Sequence, residues 1–241
     1  MNEQPFQVPK LVGALLAFGA GIVDVCTYLG LFGLFVAQVT GSFIFVGAQV
    51  LKYAQFSTIH TLALPVFFAA GFGTAFLSAL AGKLRTALCW TLGVEMALIA
   101  AFLVAGIAGW PFTRPDAPLA LTTSMLGIAA MGVQSALVRL LLKEASTNVM
   151  TSNTTVLALD VAEWAGAAWR ARRRPHDDDA ATARHQAGAR VARLWPILAA
   201  FFAGILFGAL AFKVIAFWCA LISLAMIGGV LIWALRSAPP T

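Results

Sequence analysis

Charge is scarce in this sequence. Only 11% of its 241 residues are Asp, Glu, Lys or Arg, where a soluble domain carries about 25%. Apolar residues make up 61%, and the mean hydropathy is +0.88. A water-soluble core of this length cannot absorb so much apolar sequence, which leaves a polytopic membrane protein. Segments of about ten residues with alternating polarity are also missing, which excludes a transmembrane barrel. A helical bundle satisfies every backbone polar group within lipid. Cysteine is rare. Cys26, Cys89 and Cys219 lie inside apolar runs, form no CxxC pair and no disulfide framework, and read as small buried hydrophobes. His60, His176 and His185 fall in expected loops and give no pair at metal spacing. There is no Gly-x-Ser-x-Gly elbow and no nucleophile–base set. The sequence therefore points to no enzyme and calls for no cofactor. The net charge of +6 sits largely in one loop; it sets orientation and implies no nucleic-acid partner.

What is present is a series of long apolar runs. Six are long enough to span, at about 11–33, 62–82, 86–109, 119–142, 194–212 and 214–235. The first reads as a retained helix, because no small-residue cleavage site follows it. Two further segments, 34–54 and 146–168, follow the first and fourth runs. Both carry polar residues that are costly in hydrocarbon. If all eight segments cross, 11 of the 16 Lys and Arg lie inside. If the two extra segments enter and return, 13 lie inside and only Lys52, Arg114 and Lys213 outside, a better fit to the positive-inside rule. Both versions put the N- and C-termini in the cytoplasm. The arginine-rich stretch 170–193, with Asp177, Asp178 and Asp179, reads as a solvated, flexible cytoplasmic loop.

Two halves of the chain resemble each other. Gly21–Asp24 followed by Thr40-Gly41-Ser42 is matched, 111 residues later, by Gly132–Ser135 followed by Thr151-Ser152-Asn153. Identity is low, with six matches in 38 positions from Gly13. "FAAGFGTA" (68–75) also rhymes with "FFAGILFG" (201–208). Residues 1–241 thus read as a single membrane domain with halves 11–109 and 119–236. Three crossings per half make an inverted repeat, a common transporter plan; eight crossings would make the halves parallel. A broken helix leaves amides and carbonyls free, and at membrane depth these need protein or a water-filled cavity. Thr40, Gly41, Ser42, Thr151, Ser152 and Asn153 therefore either cap helices or line a site for a small polar solute or ion. Gln38 lies beside the first group. Asp24 reads as a proton-carrying carboxylate or as a structural bond between helices, with Arg139 or the hydroxyls of Thr151 and Thr154 as partner. Gln134 and Ser135 share a helix face with Arg139, although Arg139 can also snorkel. Glu95 is a secondary candidate.

The stretches 17–50 and 130–164 resemble the YoaK-type family of bacterial inner-membrane proteins, whose function is unknown. The usual motifs there are Gly-x-x-Asp, Phe-x-Ala and Thr-Gly-Asn, then Gly-x-Gln-Asn, an Arg and Thr-Gly-Thr. By position they fall on Gly21, Asp24, Ala37, Thr40, Gly41, Gly132, Gln134, Arg139 and Thr151. This chain departs at Ser42, Ser135 and Ser152-Asn153, all polar for polar. The resemblance implies six spans in the inner membrane and supplies no substrate. The expected fold is an all-α membrane bundle of six spans, with two polar, broken or re-entrant segments meeting near the midplane. The leading function is a secondary transporter or channel, and the alternative is a non-transporting scaffold whose polar residues knit helices together. The partners are the bilayer and a small polar solute or ion. A bundle this thin is also compatible with a homodimer, for which no motif speaks.

Overall fold

The computed structural model describes residues 9–52, 57–173 and 177–236. Among these described residues it is all-α, 85% helical and without strands, a fold of membrane type. The elements run α1 Lys10–Gly30, α2 Gly41–Val50, α3 Thr58–Leu80, α4 Leu84–Gly109, α5 Pro118–Leu137, α6 Met150–Arg173, α7 Asp178–Ile215 and α8 Ala220–Arg236. A π-helical turn, Val138–Leu142, extends α5, and a 3-10 turn, Ala216–Cys219, joins α7 to α8. Among the described residues, five stretches are long and apolar enough to cross a membrane. The fifth, Asp178–Arg236, reverses at the 3-10 turn and so forms two legs.

Each apolar run became a helix, because lipid-like sequence has no other way to pair its amides. The punctuation is local. Gly82 takes a left-handed φ of 66° between α3 and α4, a conformation costly for a residue with a Cβ. Pro118 occupies the first turn of α5, where its missing N–H costs nothing. Lys143, at φ 52°, ends the π-helical turn.

α1 is the central helix, its buried face formed by Leu16, Ala20, Val23 and Cys26. It lies against α7, α8 and α5. Its closest approach is to α7. Gly21 faces the Phe201 carbonyl and Gly204, and Gly204 faces the Phe18 carbonyl, so a Cβ at either glycine would collide with backbone. α3 leans on α5 in the same way, with Gly132 set against the Phe67 carbonyl, 2.8 Å from where its Cβ would be. Small residues permitting such contact are the usual glue of helices in lipid. One end of the bundle gathers basic residues, where the Arg85 guanidinium donates to the Leu235 carbonyl over 2.8 Å. The other end is aromatic. Phe217 is fully buried there among Phe102, Trp110, Phe112 and Phe212, with ring centroids 5.4 to 5.8 Å away.

The stretch 170–193 differs from the expected flexible loop. Arg170–Arg173 end α6, and 178–193 form the first turns of α7; His176 lies outside the described residues. The Asp triplet begins a helix. The Asp177 carboxylate accepts from the Ala180 amide at 2.9 Å, and Asp178 and Asp179 occupy the first turn, where negative charge is favoured. The following alanines carry the helix onward. α6 and α7 make an antiparallel hairpin. Its cross-links are Arg190 with Asp160 at 2.6 Å and with Glu163, and its base is held by Arg193 with Glu144 at 2.8 Å. On this polar leg of α7, the hydrogen bond to Asp160 holds the Arg190 guanidinium above its ordinary pKa. His60 and His185, also expected in loops, lie in α3 and α7.

Candidate functional site

Both polar segments break the helical path, and each is pinned by side chains of the helix before it. The first break, 31–40, returns over the aromatic end. The Val36 and Ala37 amides both donate to Asp24 Oδ1, each over 2.9 Å. The Thr27 hydroxyl closes onto the Asp24 carbonyl at 2.8 Å. Asp24 is buried, and its carboxylate satisfies two amides that would otherwise be orphaned. This is how a charged residue comes to sit within an apolar helix. The Asp24–Arg139 pair weighed from the sequence does not form. Arg139 lies exposed on the π-helical turn, outside every ion pair found among the described residues.

The second break, 143–149, follows α5. Gln134 Nε2 donates to Thr147 Oγ1 at 2.7 Å and to the Leu16 carbonyl at 3.1 Å. The Ser135 hydroxyl donates to Asn148 Oδ1 at 2.9 Å. Asn148 Nδ2 donates to the Met131 carbonyl at 3.1 Å, and the Ser146 hydroxyl also meets Asn148 Oδ1, at 3.1 Å. Asn153 Nδ2 donates to the Ser146 carbonyl at 2.5 Å. Thr147 and Asn148 are fully buried. They are the centre of this network, and reading the motif from Thr151 onward passed over them.

The structure separates the sequence candidates into two groups. Asp24, Ser42, Gln134 and Asn153 are buried, and Ser135 and Gly41 partly so. Gln38, Thr40, Thr151, Ser152 and Arg139 are exposed. Thr40 occupies the position before α2 without a side-chain cap bond. The Thr154 and Thr155 hydroxyls turn back onto carbonyls of α6 at 2.9 and 3.1 Å, so neither reaches Asp24. The two breaks are held at different depths. One is tied to α1 at Asp24 and the other at Leu16, eight residues away, or about 12 Å along the helix. They do not meet at one level.

Glu95 is a different case. It is fully buried on α4, and among the described residues neither carboxyl oxygen has a hydrogen-bond partner. A carboxyl in that position is costly. The Ser223 hydroxyl on α8, a helix that packs on α4, is also buried without a partner. Two cavities, of about 510 and 360 Å3, open elsewhere: between α6 and α7 at Trp164 and Arg184, and beside Lys83 and Trp90.

The sequence model of a family described as "Protein of unknown function (DUF1275)" matches residues 12–233. UPF0700 transmembrane protein YoaK of Bacillus subtilis (strain 168) is 31% identical over 150 residues, covering 61% of this chain and 65% of that protein. No solved structure matches.

Proposed function

This membrane protein belongs to the family described as "Protein of unknown function (DUF1275)", and from its own geometry we propose a small secondary transporter or channel for a small polar solute, built as an inverted repeat. One observation carries the reading. The pins recur at the sequence offset of 111: Asp24 holds Ala37, and Ser135 holds Asn148, each across thirteen residues. The glycines at the same offset, Gly21 and Gly132, mark backbone contacts with α7 and α3. Each half thus lends its second crossing helix, α3 or α7, to the other half's first. That exchange is what a two-fold axis in the membrane plane would produce.

In this reading α1, α3 and α4 cross in the first half, and α5, the apolar leg of α7, and α8 in the second. The basic end faces the cytoplasm of a bacterial cell, with both termini, because it gathers most of the positive charge. Asp24, Gln134, Ser135 and Asn153 position the breaks. The side chains left for a solute are Gln38 and Thr40 with the Gly41 and Ser42 backbone at the first break, and Thr151 and Ser152 at the second, two stations at different levels and not one shared site. Asp24 already holds two amides on Oδ1, whereas neither oxygen of Glu95 is hydrogen-bonded among the described residues, which makes Glu95 the carboxyl we favour for coupling a proton or cation. The competing reading is a scaffold, favoured by the completeness of the second network.

Cysteine-accessibility mapping of positions 36–44 and 147–155 in intact cells, on a Cys-free background, separates the two. Labelling by small polar reagents near Thr40 and Thr151 is the expected result. A folded protein refusing label at both breaks overturns transport in favour of the scaffold.

A further inference from the structure

Two of the three cysteines meet. Cys26 lies four residues before the end of α1, and Cys219 closes the 3-10 turn between α7 and α8. Their sulfurs are 2.6 Å apart although 193 residues separate them in the chain. Both residues are fully buried. The turn that carries Cys219 is seated by Phe217, against which Gly30 and Gly106 press so closely that a Cβ on either would collide with its ring. The approach of the thiols is therefore part of a packed junction between the two halves of the chain. Cys89, near the start of α4 at the basic end, is apart from them and only partly buried.

The pair sits at the aromatic end of the bundle. Under the orientation proposed above, on which this inference rests, that end faces the outside of the cell. Thiols there are in an oxidising compartment, where disulfides form and persist. We propose that Cys26 and Cys219 are joined by a disulfide in the mature protein, a covalent staple between the halves. The oxidant is an exported protein disulfide. One cysteine thiolate attacks it and forms a mixed disulfide. The second thiolate displaces that bond, and the oxidant leaves as a dithiol. Two protons and two electrons are lost by the pair and gained by the oxidant. Since both sulfurs are inaccessible in the finished fold, the exchange takes place before Phe217 seats. Bonding brings the sulfurs from 2.6 Å to about 2.05 Å. The sequence had suggested three inert small hydrophobes. In the structure all three are free thiols; with the staple formed, Cys89 alone remains one.

The test uses the full-length protein in its own membrane. Cells are quenched in acid, denatured, and alkylated with N-ethylmaleimide. The protein is then reduced and treated with a maleimide–polyethylene glycol, and its gel shift is read. The expected wild-type result is two added polymers after reduction and none without it. Cys26→Ser and Cys219→Ser should each abolish the shift. Should a variant fail to accumulate, a non-reduced digest of the wild type is searched by mass for the peptide containing Cys26 linked to that containing Cys219. No shift after reduction, or no linked peptide, overturns the proposal. A C-terminal reporter active only in the cytoplasm is read in parallel. An active reporter with free thiols refutes the staple alone, and an inactive reporter refutes the orientation beneath it.

Discussion

Replacing Asp24 tests what the carboxylate is for. Its Oδ1 receives two buried amides, from Val36 and Ala37. Asp24→Ala leaves both without an acceptor in a place water does not reach. An unsatisfied buried donor costs about 1–3 kcal/mol, so the pair costs about 2–6 kcal/mol. Removing a carboxylate from an apolar site gives some of this back, and the expected net loss is about 2–4 kcal/mol. Asp24→Asn keeps an oxygen in the same position. Bonds to a neutral acceptor are about half as strong, and the loss should be about 1 kcal/mol. Stability is read as the midpoint of SDS unfolding in detergent, with folded yield alongside. The two variants should differ by about 1–3 kcal/mol, roughly five- to 150-fold in the folding equilibrium, and a probe on Gln38 should become more reactive in Asp24→Ala alone. If Asp24→Ala unfolds within about 0.5 kcal/mol of wild type, or if Asn is as damaging as Ala, the carboxylate is not a pin for the 31–40 break.

Gly21→Val and Gly132→Val push side chains into backbone. Each should lower stability by about 1–3 kcal/mol and cut folded yield on size-exclusion chromatography; tolerance of either would undo the account of helix contact. Glu95→Leu removes an unpartnered carboxyl and should raise the unfolding midpoint, by about 1–3 kcal/mol, while a lower midpoint would mean that Glu95 is hydrogen-bonded. Asn148→Ala deprives Ser135 and the Met131 carbonyl of their partner, for an expected loss of about 1–3 kcal/mol. Asn148→Asp should be harmful as well, since it removes the donor to Met131, and its stability in the same assay would speak against the network.

The apolar helices were legible because length and hydropathy suffice to call them. The polar breaks were legible too, because Gly, Thr and Asn within such runs need a reason. Which residues close the breaks was less visible. In the first, the donors are the amides of Val36 and Ala37, and backbone donors leave no trace in residue type. Carrying those two positions forward by 111 would have led to Thr147 and Asn148, but nothing in Val-Ala suggests the comparison. The hairpin is hidden in the sequence because a run of Arg and Asp resembles a solvated, flexible loop. Its helix comes from Ala-rich spacing and an Asp cap, signals that local charge obscures. Arg139 was placed inward by the helical spacing of 3.6 residues, and the π-helical turn at Val138–Leu142 alters the register at that residue. The meeting of Cys26 and Cys219 depends on tertiary packing, which sequence distance conceals.

α7 is 38 residues long, about 57 Å of continuous helix, nearly twice the roughly 30 Å of a hydrocarbon core. Pro196 lies within it, close to where the apolar stretch begins. Its charged leg is clamped to α6 through Asp160 and Glu163, with Trp164 against Gly188. Its apolar leg touches α1 backbone to backbone. Mechanically the helix is a shaft with a charged handle at one end and a gear tooth on its apolar leg. The one rod thus joins the charged clamp on α6 to the surface on which Gly204 meets Phe18, with Pro196 as the point between them where the helical ladder lacks a hydrogen bond.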